Sequence, residues 1–279
     1  MDIYKHRVHL QEYEPNNSYY WIPSDDKDRF FNQLKITPED PNLLYYKNNP
    51  IEYKFNNCGF RTPDDFNTID EGNIFLGCSH TFGIGHHLEN TWSYKLNQII
   101  GGKFWNLSIG GTGVMTAYRL LKGYIGELKV KNIFHYAPKY PRFEFIINNI
   151  PTNLLLNLYE KSWDIQFGNF CKDSLFNEDQ IDFTYTSFIY AIKGLANEFG
   201  LNYYLVDWEP NNINLDSSLR ARDLYHYSVK QQHGIYQQFL KLYNQELFNK
   251  HFDYKNNFNP NEINIYKNFT ELKISKTLT

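Results

Sequence analysis

Three side chains of this sequence have the types needed to make a nucleophile: the Ser79 hydroxyl, the His226 imidazole and the Asp223 carboxylate. A serine hydroxyl is inert near neutrality until a base stands beside it. Asp223 and His226 lie three residues apart in "ARDLYHYS". On a loop or first helical turn, that spacing brings the carboxylate to the imidazole Nδ1–H. The contact fixes the tautomer and leaves Nε2 to take a proton. Attack on a carbonyl also needs donors for the oxygen that becomes negative. Backbone N–H groups at the start of the helix after Ser79 would serve, with Gly111 in "NLSIGGTG" as a second donor. A glycine lets its N–H approach a substrate with no Cβ in the way.

Each signal alone has an ordinary meaning. A serine after a strand is commonly a turn or cap residue, Asp-x-x-His is commonly exposed polarity, and "GGTG" is commonly a tight turn. Their common placement is what points to a site, and the elements must supply it. "NIFLG", "KFWNLSIG", "VKNIFHYAP" and "LNYYLVDWE" read as strands. "ENTWSYKLNQII" reads as an amphipathic helix with Trp92, Leu96 and Ile99 or Ile100 on one face. "GVMTAYRLLKGYIGEL", "PTNLLLNLYEKSW" with Pro151 near its start, "FTYTSFIYAIKGLANEFG" with Gly200 at its C-cap and "SVKQQHGIYQQFLKLYNQELF" complete the expected helices. This alternation predicts an α/β protein with a parallel sheet and helices on both faces. Ligands of open parallel sheets bind beyond the carboxyl ends of the strands. "IFLGCSHTFGIG", "NLSIGGTG" and "ARDLYHYS" all fall at that end.

The chain has 279 residues, 42% hydrophobic and 18% aromatic, which is enough for a large core. A net charge of −3 offers no basic excess for phosphate backbones, so a nucleic-acid partner is not expected. Cys58, Cys78 and Cys171 lack CxxC spacing, which argues against a disulfide framework or zinc ribbon and for a reducing compartment. The first residues, "MDIYKHRVHLQEYEPNNSYYW", contain no apolar secretory core, and no run is long enough for a membrane span. The expectation is a cytoplasmic protein with no membrane partner and no cofactor. Cys78, His80, His86 and His87 are a conceivable metal set, but their spacing matches no zinc pattern. Three segments are expected: an irregular extension over 1–68, rich in Pro, Asn and Asp and wrapped on the main domain; the α/β domain over 69–251; and a polar tail over 252–279.

Four blocks, in order, resemble the SGNH or GDSL-type hydrolases. "GCSHTFGIGHHLENTWSYKL" is similar to the first block, GDSxTxG, and "NLSIGGTG" to the second. "ARDLYHYS" is similar to the last, Asp-x-x-His, and "FNNCGFRTPDDF" to the Asn-x-x-Gly-Phe-Arg arm that often precedes the nucleophile strand. The resemblance covers about residues 51–250. It implies a flavodoxin-like three-layer α/β/α fold and cleavage of an ester or O-acyl group from a carbohydrate or small molecule. Ser79 would be the nucleophile, His226 the base and Asp223 its orienter, with the N–H groups of Ser79 and Gly111 as oxyanion donors. Thr81 stands where the second glycine of a G-x-S-x-G elbow would be, so that other hydrolase fold is not indicated.

The sequence departs from the family in three places. Cys78 replaces the Asp before the serine and is expected to be a buried packing residue rather than a competing nucleophile. Tyr227 stands where a proline often follows the histidine. The third block's Asn is missing, and "IFHYAPKYPRFE" takes its place. His135, Tyr140 or Arg142 would supply the absent donor, with Arg142 preferred. Two other readings stay open: a non-catalytic relative used for binding carbohydrate or in an assembly, and acyl transfer to an alcohol.

Overall fold

The computed structural model describes residues 2–6, 13–67, 69–139, 142–155, 169–208, 220–223 and 225–252. Tyr140, the second half of the helix expected over 151–163 and the tail beyond 252 lie outside them. In chain order the elements are β1 (Ser18–Tyr19), α1 (Lys27–Ile36), α2 (Pro41–Asn48), β2 (Tyr53–Lys54), β3 (Glu71–Leu76) and the single turn α3 (Ser79–Phe82). Next come α4 (Trp92–Ile100), β4 (Lys103–Asn106), α5 (Val114–Tyr124), β5 (Lys129–Pro138), β6 (Arg142–Ile147) and β7 (Ile150–Leu155). The last are α6 (Glu178–Glu198), β8 (Asn202–Trp208), α7 (Val229–Tyr243) and α8 (Gln245–Phe252).

The main sheet has four parallel strands in the order β4-β3-β5-β8. Alternation along each strand feeds two cores. Ile74, Leu76, Trp105 and Ile133 meet α5 and α6 through Leu120, Leu121, Ile192 and Leu195. Phe75, Phe104, Phe134 and Val206 meet α4 and α7 through Trp92, Leu96, Ile235 and Phe239. The sheet therefore has helices on both faces, α4 on one and α5 on the other. The chain leaves the central strand β3 toward one face and returns to its other side by the opposite face. Such reversals open a crevice at the carboxyl end of the sheet. Among the described residues, no helix is long and apolar enough to cross a membrane.

All four expected strands are present, but three local expectations are corrected. Residues 27–36 and 41–48 are helices, not loops. Asp26 accepts from the Arg29 N–H, and Asp40 accepts from the Asn42 and Leu43 N–H groups ahead of Pro41 in the first turn. The Pro/Asp punctuation marks helix starts here. The extension also shares a core of its own, in which Tyr13, Phe30, Tyr46, Tyr53 and Phe55 pack with Phe82 and Ile84 from the loop after Ser79. Aromatic side chains supply area that the sparse aliphatic residues do not.

The described part of the expected 151–163 helix is instead strand β7, paired antiparallel with β6. Asn148 and Asn149 both have positive φ, 51° and 64°, which a two-residue hairpin turn requires. Pro151 is tolerated because the ribbon has only two strands. Finally, the last helix is broken at Asn244, whose backbone is extended at φ −161° and ψ 107°.

Candidate active site

Strand β3 ends in a bend that only glycine allows. Gly77 has φ +151°, and a Cβ there would lie 2.1 Å from Thr81 Oγ1 and 2.8 Å from the Tyr136 carbonyl. Cys78 follows without a side-chain cap, and its carbonyl accepts from the N–H groups of Thr81 and Phe82. Ser79 thus heads a one-turn helix at the carboxyl end of the central strand. Among the described residues, its backbone N–H has no acceptor. Ser79 is nearly buried at 4% exposure, and its hydroxyl lies 3.9 Å from Cys78 Sγ.

The Asp223–His226 pair is formed. His226 Nδ1 and Asp223 Oδ2 are 2.5 Å apart, and Asp223 Oδ1 accepts the His226 backbone N–H at 3.2 Å. The Asp223 side chain is 1% exposed and that of His226 18%, so the ring is the solvent-facing member. Burial pushes the Asp223 carboxyl up, but the His226 hydrogen bond and charge outweigh it and hold it below its ordinary range. With Nδ1 committed to Asp223, Nε2 is the nitrogen left for chemistry. Among the described residues, the Ser79 hydroxyl makes no hydrogen bond to the His226 ring.

Two adjacent residues of the loop after Ser79 bracket this pair. The Gly85 carbonyl accepts the Arg222 N–H at 2.9 Å, just before Asp223. The His86 Nε2–H donates to the Tyr227 carbonyl at 2.7 Å, just after His226. Gly85 has φ +74°, and a Cβ on it would lie 2.9 Å from the Arg222 nitrogen. His80 adds a third link, stacked on Tyr227 at 3.8 Å between ring centroids and edge-on to His226 at 5.3 Å. Desolvation first, then the fields of His226, Arg142 and His86, hold the His80 ring well below its ordinary value. Desolvation lowers His86 to about 3 and His135 to about 3. All three therefore stay neutral at neutral pH.

The second loop is tied to the first by Asn106, at the end of β4. Its Nδ2–H donates to the Thr81 carbonyl at 3.1 Å, and its Oδ1 accepts from the Ser108 N–H and hydroxyl. Gly111 has φ +74°, and among the described residues its N–H has no acceptor. Arg142, the first residue of β6, donates from Nη1 to the Thr112 carbonyl at 3.0 Å. Its backbone also packs where Gly113 leaves room, since a Cβ at Gly113 would lie 2.8 Å from the Arg142 carbonyl. The field of Arg142 reaches both His80 and Tyr227. Among the described residues, His135 does not contact the site: its Nδ1 is bonded to Tyr203 Oη at 2.9 Å. Among the described residues, no three His, Cys, Asp or Glu side chains converge as a metal set, and His87 lies against Tyr46 instead.

Sequence reasoning missed two buried arginines that join the extension to this site. Arg61 is 1% exposed and donates to the carbonyls of Phe82, Gly83 and His86. Burial lowers its guanidinium to about 10, which leaves it charged. Arg222 is equally buried; its Nε and Nη2 donate to Asp25 Oδ2, Nη2 also donates to the Tyr20 carbonyl, and its plane lies 3.8 Å over Trp21. Both arginines stand inside the quoted blocks, but nothing in their spacing announces burial. No model of a known protein family matches the chain, and no curated protein is similar enough to it to count as a match.

Proposed function

We propose that the chain is a serine hydrolase of the SGNH type that cleaves an ester or O-acyl group, with a carbohydrate or small molecule as the alcohol. The observation that carries this reading is the Asp223–His226 hydrogen bond through Nδ1, held against the loop that presents Ser79 at the carboxyl end of the central strand. The sheet order β4-β3-β5-β8 also suits a flavodoxin-like three-layer fold, whose ligand site lies where the connections diverge, at β3 and β5.

In this reading His226 Nε2 removes the Ser79 proton as Oγ attacks the acyl carbon. Asp223 steadies the imidazolium that forms. The carbonyl oxygen becomes negative and is met by the backbone N–H groups of Ser79 and Gly111, with the Arg142 guanidinium as the charged third donor. Collapse expels the alcohol, which takes the proton from Nε2. Water then repeats the sequence on the acyl-enzyme and releases the acid. Substrate must first bring the Ser79 hydroxyl to His226, since that contact is open here; catalytic hydrogen bonds often tighten only in the complex. The open contact and the small exposure of Ser79 favour one second reading, a binding protein that keeps the triad unused.

Hydrolysis of a short-chain nitrophenyl ester separates the two. The wild type should turn over. Ser79→Ala and His226→Ala should each lose about 10⁴-fold or more in kcat, because such residues act as a unit. Activity unchanged in Ser79→Ala removes the assignment, and an inert wild type that still binds acylated sugars establishes the second reading.

A further inference from the structure

One closed circuit of hydrogen bonds joins the extension to both catalytic loops. The Gly85 N–H donates to Tyr53 Oη at 2.9 Å, and the Tyr53 hydroxyl donates to Asp25 Oδ2 at 2.5 Å. Arg222 donates to the same Oδ2 from Nε at 2.9 Å and from Nη2 at 2.6 Å. The Arg222 backbone N–H returns to the Gly85 carbonyl at 2.9 Å. Gly85 belongs to the loop that leaves Ser79, and Arg222 immediately precedes Asp223. The Asp25 and Arg222 side chains have no solvent exposure.

A buried ion pair is poor evidence for stability, because desolvating two charges offsets most of their attraction. What this pair supplies is direction. A guanidinium bonded through two nitrogens to one oxygen, and flat on Trp21, has little freedom to rotate. The backbone that carries it enters the Asp223–His226 turn. Tyr53 ties the same carboxylate to the facing loop.

The geometry points to Asp25 as a positioning residue for the Ser79–His226–Asp223 site: through Arg222 and Tyr53 it sets the Asp-x-x-His turn at a fixed offset from the Ser79 loop. Its consequence for catalysis rests on the hydrolase reading, whereas its consequence for the Asp223–His226 pair does not. The extension is therefore part of the working site rather than a cover, and the loops of a chain lacking this carboxylate lose their register. A displacement of about 1 Å at such a distance costs roughly 10²-fold in rate.

The test uses the full chain and reads the imidazole directly. The His226 side-chain 15N shifts at alkaline pH, assigned with His226→Gln, report which nitrogen carries the proton. The wild type should be in the Nδ1–H form. Asp25→Asn should remain folded by circular dichroism, raise the Nε2–H share several-fold and lower kcat about 10²-fold with KM within about twofold. Tyr53→Phe, which removes only the Gly85–Asp25 bridge, should move the same readouts in the same direction by less. Ile192→Ala, in the core on the far side of the sheet from α7, should lose thermal stability but leave the tautomer ratio unchanged. If Asp25→Asn does not fold, Tyr53→Phe decides. Unchanged 15N shifts in the folded variants overturn the proposal. A wild type without esterase activity whose tautomer ratio still responds to Asp25→Asn sinks the hydrolase reading and leaves the clamp standing.

Discussion

At the amino end of the main sheet, asparagines pass hydrogen bonds from strand to strand, whereas at the carboxyl end buried polar groups keep free capacity. Asn202 donates to Asn132 at 3.1 Å, Asn132 to Asn73 at 2.8 Å, and Asn73 to Asn97 and the Gly101 carbonyl. Each amide there has a partner on the next strand or helix. At the other end, among the described residues, the Ser79 hydroxyl has only a sulfur nearby, and His86 Nδ1 has no partner. Buried polar groups are normally paired. The amino end spends its side-chain bonds on closing the sheet. The carboxyl end leaves groups underused, which is the condition under which a substrate can be bound and a proton moved.

Acid should break this contrast most completely. His80, His86 and His135 refuse protons in the folded chain that the unfolded chain accepts below its ordinary value of about 6.5. Stability is therefore fully present above about pH 6.5 and falls as pH drops, with each histidine costing about 1.4 kcal/mol per unit down to its folded value, about 3 for His86 and His135. Asp223, whose affinity is also depressed, adds to the loss in the carboxylate range. For a domain of ordinary stability, cooperative unfolding should fall between about pH 3 and 5.5. His135→Gln should flatten the slope in a circular-dichroism titration, by less than a third, because burial also lowers His87 and, to about 4, His233. An acid midpoint and slope indifferent to this change would contradict the argument.

Arg142→Ala tests the carboxyl end alone. On the hydrolase reading, removing Arg142 as the third oxyanion donor should lower kcat by about 10²–10³-fold with the melting temperature nearly unchanged. Equal kcat would remove Arg142 from the site. Asn132→Ala is the mirror experiment. It leaves Asn73 Oδ1 and Asn202 Nδ2 without their partner and should cost about 2–4 kcal/mol in denaturant unfolding, with kcat of the folded protein unaltered. The smallest effect is expected at Cys78, which is fully buried. Cys78→Ala should stay within about threefold of wild-type turnover; abolished turnover in a folded protein would transfer the nucleophile to the thiol.

The same contrast explains what could be read in advance. The four strands were legible because each is an apolar run stopped by Gly or Pro, and Asp223–His226 because both members lie within one turn of chain. The hairpin was misread because Pro151 and the leucines after it fit a helix start equally well, and the decisive signal was the Asn148–Asn149 pair before them. The helices of the extension had their caps in the sequence at Asp26 and Asp40, hidden among turn-forming neighbours. Arg61 and Arg222 were out of reach for a different reason. Charged side chains are rarely fully buried, and only partners distant in sequence make it tolerable.

The Asp25–Arg222 bond spans 197 residues. At ordinary synthesis rates of about 5–20 residues per second, Asp25 waits on the order of 10–40 s for its counter-ion. During that interval Trp21 has no guanidinium to cover, and the aromatic face formed by Tyr53 and Phe55 lacks Phe82 until the loop after β3 is made. The aromatic face of the extension can therefore close as soon as Phe82 is made, whereas Asp25 and Trp21 must wait for Arg222, so the two halves of this clamp mature at different times on the ribosome.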